Sequence, residues 1–261
     1  MFDAGVRMFA LTDHDSTDGL KEAATQARAL DIKFVNGVEI STRWERQTIH
    51  VVGLGVQTEN AELLRGLKFI QQLRKDRAAG IARKLEREGV ADALSRARKL
   101  AEGGQITRNH FAQLLVEDGR VKDKQKAFKQ FLADGKRAYV KADWPAMQTA
   151  IHWIKSAQGL AVLAHPMRYG MTGSKRRRMI EAFADAGGDA LEMGGGPNTA
   201  ADTQVIAEDA RRLGLMGSVG SDFHDPAQGW IKLGICPPLP ADISPVWTHP
   251  RLSDSSAVIR S

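Results

Sequence analysis

Short apolar runs closed by a polar or ionisable side chain alternate with helix-like stretches along most of the chain. The runs at residues 6–11, 32–40, 49–56, 159–164, 189–193 and 215–219 are brief and rich in Val, Ile and Leu, which predicts strands. Residues 18–30, 147–156, 175–186 and 203–213 carry apolar positions at helical spacing and predict helices. From 59 to 141 the texture is helical throughout. Leu63, Leu67, Ile70, Leu73, Ile81 and Leu85 recur at helical spacing, Gly89, Gly103, Gly104 and Gly119 punctuate them, and Arg108 opens another helical piece after Thr107. No strand is convincing there, so this part reads as a helical insertion.

Strands that alternate with helices argue for a parallel sheet. The ionisable side chains gather at strand ends: Asp13, His14 and Asp15 after the first run, Glu39 near the end of the second, His50 inside the third, His165 after the fourth, and Asp222 and His224 after the last. A (β/α) barrel collects its active site at the C-terminal ends of its strands. An open doubly wound sheet also binds ligands there, but one point could hardly draw on five of its strands, so the barrel is the expected fold.

A lone histidine is ordinarily structural or solvated. That reading weakens here, because four of the seven histidines follow or sit in an apolar β run. Imidazole together with carboxylate suits zinc, manganese or iron, whereas carboxylate and carbonyl alone would suit calcium or magnesium. His14, Glu39, His50, His165, Asp222 and His224 are too many ligands for one tetrahedral ion, and a cluster of two or three metals fits them better. Asp15 is also placed to cap the following helix. Other motifs fail. D-H-D-S-T-D-G places its glycine one position late for an EF-hand and lacks the closing Glu. Gly194-Gly195-Gly196 has no following G-K-[ST], and nucleophile-elbow and H-E-x-x-H patterns are absent. His152 and His249 read as structural or solvated.

Composition narrows the class. The chain has 261 residues, 43% hydrophobic and 26% charged, which suits a soluble globular protein. No apolar run approaches a membrane span, no secretion signal is visible, and the single Cys236 excludes an internal disulfide and a cysteine zinc cluster. Cytoplasm is the expected compartment, with no obligatory protein partner. The net charge of +6 is uneven: residues 66–141 hold nineteen Lys/Arg against nine Asp/Glu, an excess of ten, which leaves the remainder near −4. A basic region beside an acidic one points to a phosphate-bearing or nucleic-acid ligand; the bland alternative is that basic helices merely carry solvated faces.

The motifs L-T-D-H-D, N-G-V-E-I-S, H-V-V-G-L, A-H-P and G-S-D-F-H, in this order, resemble the PHP (polymerase and histidinol phosphatase) superfamily. L-A-E-G-G-Q-I-T-R-N-H-F, A-H-P-M-R-Y and the late W-I-K-L-G resemble its branch containing RNase AM, whose members are 3′,5′-nucleoside bisphosphate phosphatases and 5′-to-3′ exoribonucleases on short RNA. The resemblance covers nearly the whole chain. It implies a distorted (β/α)7 PHP barrel from residues 1–65 and 142–261, with 66–141 a basic helical insertion that closes over substrate. It implies a trinuclear cluster of divalent metals, usually manganese, with zinc, iron or magnesium as alternatives. Glu39 would bridge two metals, His50 and His165 would complete one site, His14 and His224 would serve a second, and Asp222 the third. Asp13 and Asp15 would orient imidazoles. Arg74, Arg77, Arg108 and His110 would hold a phosphorylated nucleotide or short RNA, with Arg168 close to the metals. Guanidinium forks suit phosphate oxygens, and Arg74 and Arg77 share a helix face at i, i+3. A metal-bound hydroxide would attack phosphorus, with no separate general acid identifiable.

One departure stands out. Relatives carry D-L-H-x-H and S-D-G about 30 residues before L-T-D-H-D, on the first barrel strand, whereas Leu11 lies ten residues after Met1. That motif would bring two histidines to the first metal and an aspartate to the second. Without it only the Glu39, His50 and His165 site keeps its protein ligands. Either Met1 is an internal methionine, or the chain is a fragment or inactive remnant that only binds nucleotide or RNA. A PHP phosphatase for another phosphorylated metabolite is a third reading.

Overall fold

Residues 2–195, 198–223, 233–234 and 236–253 are described by a computed structural model. The elements run β1 (Met8–Leu11), α1 (Leu20–Ala29), β2 (Lys33–Trp44), β3 (Gln47–Leu54), α2 (Ala61–Arg87), α3 (Ala93–Leu100), α4 (Arg108–Glu117), α5 (Lys124–Ala127), α6 (Met147–Ser156), β4 (Leu160–Leu163), α7 (Gly173–Asp185), β5 (Ala190–Gly194), α8 (Ala200–Leu213), β6 (Met216–Val219) and α9 (Pro250–Ser253). They divide into two compact units, Met1–Leu67 with Pro145–Ser261, and Lys68–Trp144.

In the first unit, the described residues form one six-stranded sheet in chain order, β1 to β6. Its pairing corrects the expectation of a parallel sheet. Pairs β1–β2, β4–β5 and β5–β6 are parallel, but β2–β3 and β3–β4 are antiparallel. The reason is local. The chain reverses at Glu45 and Arg46 with no helix between β2 and β3, so the two form a hairpin, and β4 then meets β3 head to tail. The hairpin also carries β2 past its expected end at 40, because residues 41–44 pair with 47–50 across the ladder.

Alternate side chains of the strands build the core. Val35, Val52, Leu54, Leu160 and Val162 are buried together, with Met8 and Ala10 of β1 and Met216 of β6 packed against them. The two outermost strands, β1 and β6, line a single cavity of about 480 Å³, so the sheet is strongly curled. Helix α1 lays Leu20 and Ala27 on Ile32 and Phe34. Among the described residues, no helix is long and apolar enough to cross a membrane.

The second unit is helical, as its spacing predicted. Ile81 and Leu85 of α2, Phe111, Leu114 and Leu115 of α4, and Leu132 of a π-helical turn at Phe128–Leu132 form its centre. Each such fully buried side chain contributes about 1.5–3 kcal/mol relative to exposure. Helix α4 starts at Thr107, whose N–H donates to His110 Nδ1 at 2.9 Å.

Candidate functional site

The loop after β1 passes close over β2, and Gly37 makes this passage possible. A Cβ there would lie 2.7 Å from the carbonyl oxygen of Leu11 and 2.6 Å from Thr12 Cγ2. The loop is then tied to β2 by Glu39 N–H donating to Asp13 O at 3.1 Å and Asp15 N–H donating to Glu39 O at 2.9 Å. His14 is thereby paired with Glu39 as an isolated bridge. Asp15, fully buried and left-handed at φ 53°, accepts the Ser41 N–H at 2.7 Å. The residue preceding α1 is Gly19, so Asp15 is not its cap.

Glu39 is the centre of the arrangement. Its Oε1 lies 2.9 Å from His50 Nδ1 and 3.2 Å from His165 Nε2, and its Oε2 lies 3.6 Å from His14 Nδ1. His50 Nδ1 and His165 Nε2 are 3.4 Å apart. The two carboxylate oxygens therefore face different histidines. Donor atoms of His14, Glu39 and His50 all lie within 4.8 Å of one another. Bonds of roughly 2.1 Å in a tetrahedral metal site give donor–donor edges of about 3.4 Å, close to the spacings found around Oε1. The donor set also fits: two or more imidazoles and a carboxylate are borderline ligands for a divalent transition metal. His165 Nδ1 is buried without a hydrogen-bond partner among the described residues.

Electrostatics agree. Burial alone would push the Glu39 carboxyl up, but hydrogen bonds from His165 and His50 and the charges of His50 and His14 hold it well below the usual carboxylate range. Burial would push His165 down, yet the Glu39 hydrogen bond and the charges of Glu192, Glu39 and Asp222 raise it.

The other predicted residues of this unit are placed as follows. Asp222 lies just past β6, left-handed at φ 51°, and its Oδ2 is in contact with Arg168 Nη1. Arg168 belongs to a short 3-10 turn, Pro166–Tyr169, that follows His165. His224 lies outside the described residues. Two residues escaped sequence reasoning. Tyr169 Oη accepts the His50 N–H at 2.8 Å and donates to Ala164 O at 2.9 Å, fastening the two histidine-bearing segments together. Glu192 lines the cavity, its carboxyl pushed up to about 8 by burial and then by the charges of Glu39 and Asp222, against the opposing pull of His165. An acid inside the short strand-like stretch D-A-L-E-M, between Leu191 and Met193, was the available signal.

In the helical unit, Arg74, Arg77 and Arg108 come together. Arg74 and Arg77 lie over the Trp144 ring at 5.3 and 5.8 Å, and Arg108 lies over Phe128 at 5.5 Å. Arg77 Nε donates to Val140 O at 3.0 Å. Burial first, then the charges of Arg108 and Arg74, push Arg77 down to about 10. Burial and Arg74 lower Arg108 as well. Half-buried guanidinium groups that repel one another have the chemistry to take up an anion. His110 Nδ1 accepts the Thr107 N–H, so the neutral ring carries its proton on Nε2.

No protein-family model matches the chain. A 5′-3′ exoribonuclease of Haemophilus influenzae is 43% identical over 243 residues, covering 93% of this chain and 88% of that protein. A 3′,5′-nucleoside bisphosphate phosphatase of Chromobacterium violaceum is 41% identical over 241 residues, covering 92% and 85%. A solved structure from Chromobacterium violaceum, described as an amidohydrolase with bound sulfate and no metal, superposes with a TM-score of 0.87 at 39% identity, covering 97% of this chain and 87% of its own.

Proposed function

The chain belongs to the PHP superfamily, in the branch of these exoribonucleases and bisphosphate phosphatases, and from that premise we propose that it hydrolyses 3′,5′-nucleoside bisphosphates and short 5′-phosphorylated RNA. The observation that carries the reading is the sharing of one buried carboxylate, Glu39 within β2, among His14 after β1, His50 within β3 and His165 after β4. Glu39 presents one oxygen to His50 and His165 and the other to His14, the disposition of a carboxylate that serves two cations. His14, Glu39, His50, His165 and Asp222 are the proposed ligands of a manganese cluster of up to three ions, and His224 joins them on sequence grounds alone. Divalent cations, when bound, supply activation of water and stabilisation of phosphoryl charge.

The chain's own groups do the rest. Asp15 and Tyr169 hold the ligand-bearing segments in place through backbone N–H groups. Arg168 holds Asp222. Residues 66–141 serve as the substrate-holding part, in which Arg74, Arg77 and Arg108 take phosphate oxygens and His110 offers Nε2 as a neutral donor. The test is release of inorganic phosphate from adenosine 3′,5′-bisphosphate with manganese, compared with shortening of a 5′-phosphorylated oligoribonucleotide. Release of neither phosphate nor mononucleotides would overturn the reading.

A further inference from the structure

Residues 122–129 of the helical unit carry four lysines, Lys122, Lys124, Lys126 and Lys129, and every one is exposed. The packing of one helical segment sets their direction. Asp123 opens α5 by accepting the Lys126 N–H at 2.7 Å, and α5 runs without a break into the π-helical turn Phe128–Leu132. Ala127, Phe131 and Leu132 are buried on the inner side of this segment, so Lys126 and Lys129, three residues apart, share the outer side. Gln125 and Gln130 are exposed beside them. Phe128 lies under Arg108 at 5.5 Å, so the segment packs directly on one member of the arginine cluster.

Elsewhere in this unit Arg96 is paired with Asp118 and Arg137 with Glu88, whereas none of the four lysines has an ion-pair partner among the described residues. The single acid of residues 122–129 is Asp123, which engages an oxygen in the cap of α5. The next acid along the chain, Asp134, sets its charge against Arg108. Burial, and then the charge of Lys124, lowers His110, so the field of the lysines reaches the start of α4 where Arg108 stands. Like charges three residues apart on a helix repel. A face that needed only solvation would do as well with mixed signs, and an unrelieved row of one sign suits a polyanion.

We propose that the exposed face of residues 122–129 binds the sugar-phosphate backbone of single-stranded RNA, taking phosphates beyond those held by Arg74, Arg77 and Arg108. The proposal rests on the reading that RNA is a substrate and that these arginines hold phosphate. A nucleoside bisphosphate has only two phosphates, which the arginines and His110 already answer, so it gains nothing from the lysines and a longer chain does. Gln125 and Gln130 offer amide donors to phosphate and sugar oxygens. The aromatic rings of the segment give no platform for stacking, since Phe128 lies under Arg108 and Phe131 is buried. The surface therefore senses charge and does not read bases.

The experiment is binding without turnover, by fluorescence anisotropy in EDTA, of a long 5′-phosphorylated oligoribonucleotide and of a dinucleotide. Lys126→Ala/Lys129→Ala should weaken the long RNA roughly five- to tenfold, leave the dinucleotide in place, and reduce the slope of log affinity against log salt by about 0.7 per cation removed. Lys126→Arg/Lys129→Arg keeps the charge and should keep both the affinity and the slope. Arg98→Ala/Lys99→Ala removes the same charge from exposed positions of α3, and should cost the long RNA much less. An equal loss from the α3 variant would show that net charge alone attracts the RNA and would overturn the proposal. Equal losses on long and short RNA, an unchanged salt slope, a parent protein that binds no RNA, or binding to anionic vesicles in place of RNA would each overturn it as well. Failure of the parent to release phosphate from adenosine 3′,5′-bisphosphate would count against the proposed activity, while the RNA comparison, made without turnover, would still decide the role of the lysines.

Discussion

Asp15 accepts the backbone N–H of Ser41 at 2.7 Å from a fully buried position, and this bond reinforces the two backbone bonds that tie the histidine-bearing loop after β1 to β2. Glu39 lies two residues before Ser41 on the same strand and the same face. Asp15→Ala would leave the Ser41 N–H buried and unpaired, which costs about 1–3 kcal/mol. It would also loosen His14 against Glu39, and loss of a group that positions ligands typically weakens metal binding 10- to 100-fold, as an order of magnitude. Urea unfolding and manganese titration measure the two effects. An Asp15→Ala protein with parental stability and metal affinity would show that the bond positions nothing.

Glu39→Gln should remove metal binding more completely than any single histidine change. The amide keeps the shape but loses the charge that two sets of imidazoles share, so affinity should fall by more than about a hundredfold. Elemental analysis after dialysis reads this directly, and chelation of the parent should abolish phosphate release reversibly. Full metal content in Glu39→Gln would remove Glu39 from the centre of the site.

His110 makes the stability of the helical unit pH-dependent. Its Nδ1 accepts the Thr107 N–H only while the ring is neutral, and burial, followed by the charge of Lys124, lowers its pKa from 6.5. A base whose folded pKa is depressed holds fewer protons folded than unfolded below 6.5, so its contribution is complete above that pH and disappears as pH falls through the folded value. The cap is worth about 1 kcal/mol. His110→Gln, which can cap without titrating, should remove this part of the acid sensitivity. Parallel stability curves for parent and variant as pH falls from about 7 to about 5 would refute it.

Glu192 should act in the opposite sense. An acid raised from 4.5 to about 8 binds its proton more tightly folded than unfolded, so stability falls as pH climbs across that interval. In metal-free protein, Glu192→Gln should gain on the parent by on the order of a few kcal/mol over the interval. A constant difference between the two proteins from acid to mildly basic pH would show that the carboxyl is ordinarily ionised.

Much of this was legible in the chain because apolar runs and the residues closing them obey simple periodicities. The strands after which His14, His165 and Asp222 follow, and the helices between them, fall within a few residues of their expected places. The hairpin was not legible. Its connecting residues, T-R-W-E-R-Q-T, are polar and lack the Gly or Asn that marks a tight turn, and Glu45 adopts φ 51° without that signal. The run was therefore read as a loop, and the sheet as parallel. Glu192 was missed because an acid in a short apolar strand gives no motif, only an anomaly. Arg74, Arg77 and Arg108 were named by resemblance, and their stacking on Trp144 and Phe128 depends on contacts between residues 20 to 70 positions apart, which no local pattern encodes.

Gly195, at φ 142°, sits where β5 ends, and a Cβ there would collide with the carbonyl oxygen of Gly220 while lying 3.6 Å from Glu192 Oε1. Gly220 in turn donates its N–H to Gly194 O at 3.0 Å, two residues before Asp222. In an alanine scan, this position should therefore score beside the proposed ligands although it has no side chain to offer. Adding one methyl group there would pry apart the two strand ends that deliver Glu192 and Asp222, so the mildest replacement on paper becomes one of the most damaging in the protein.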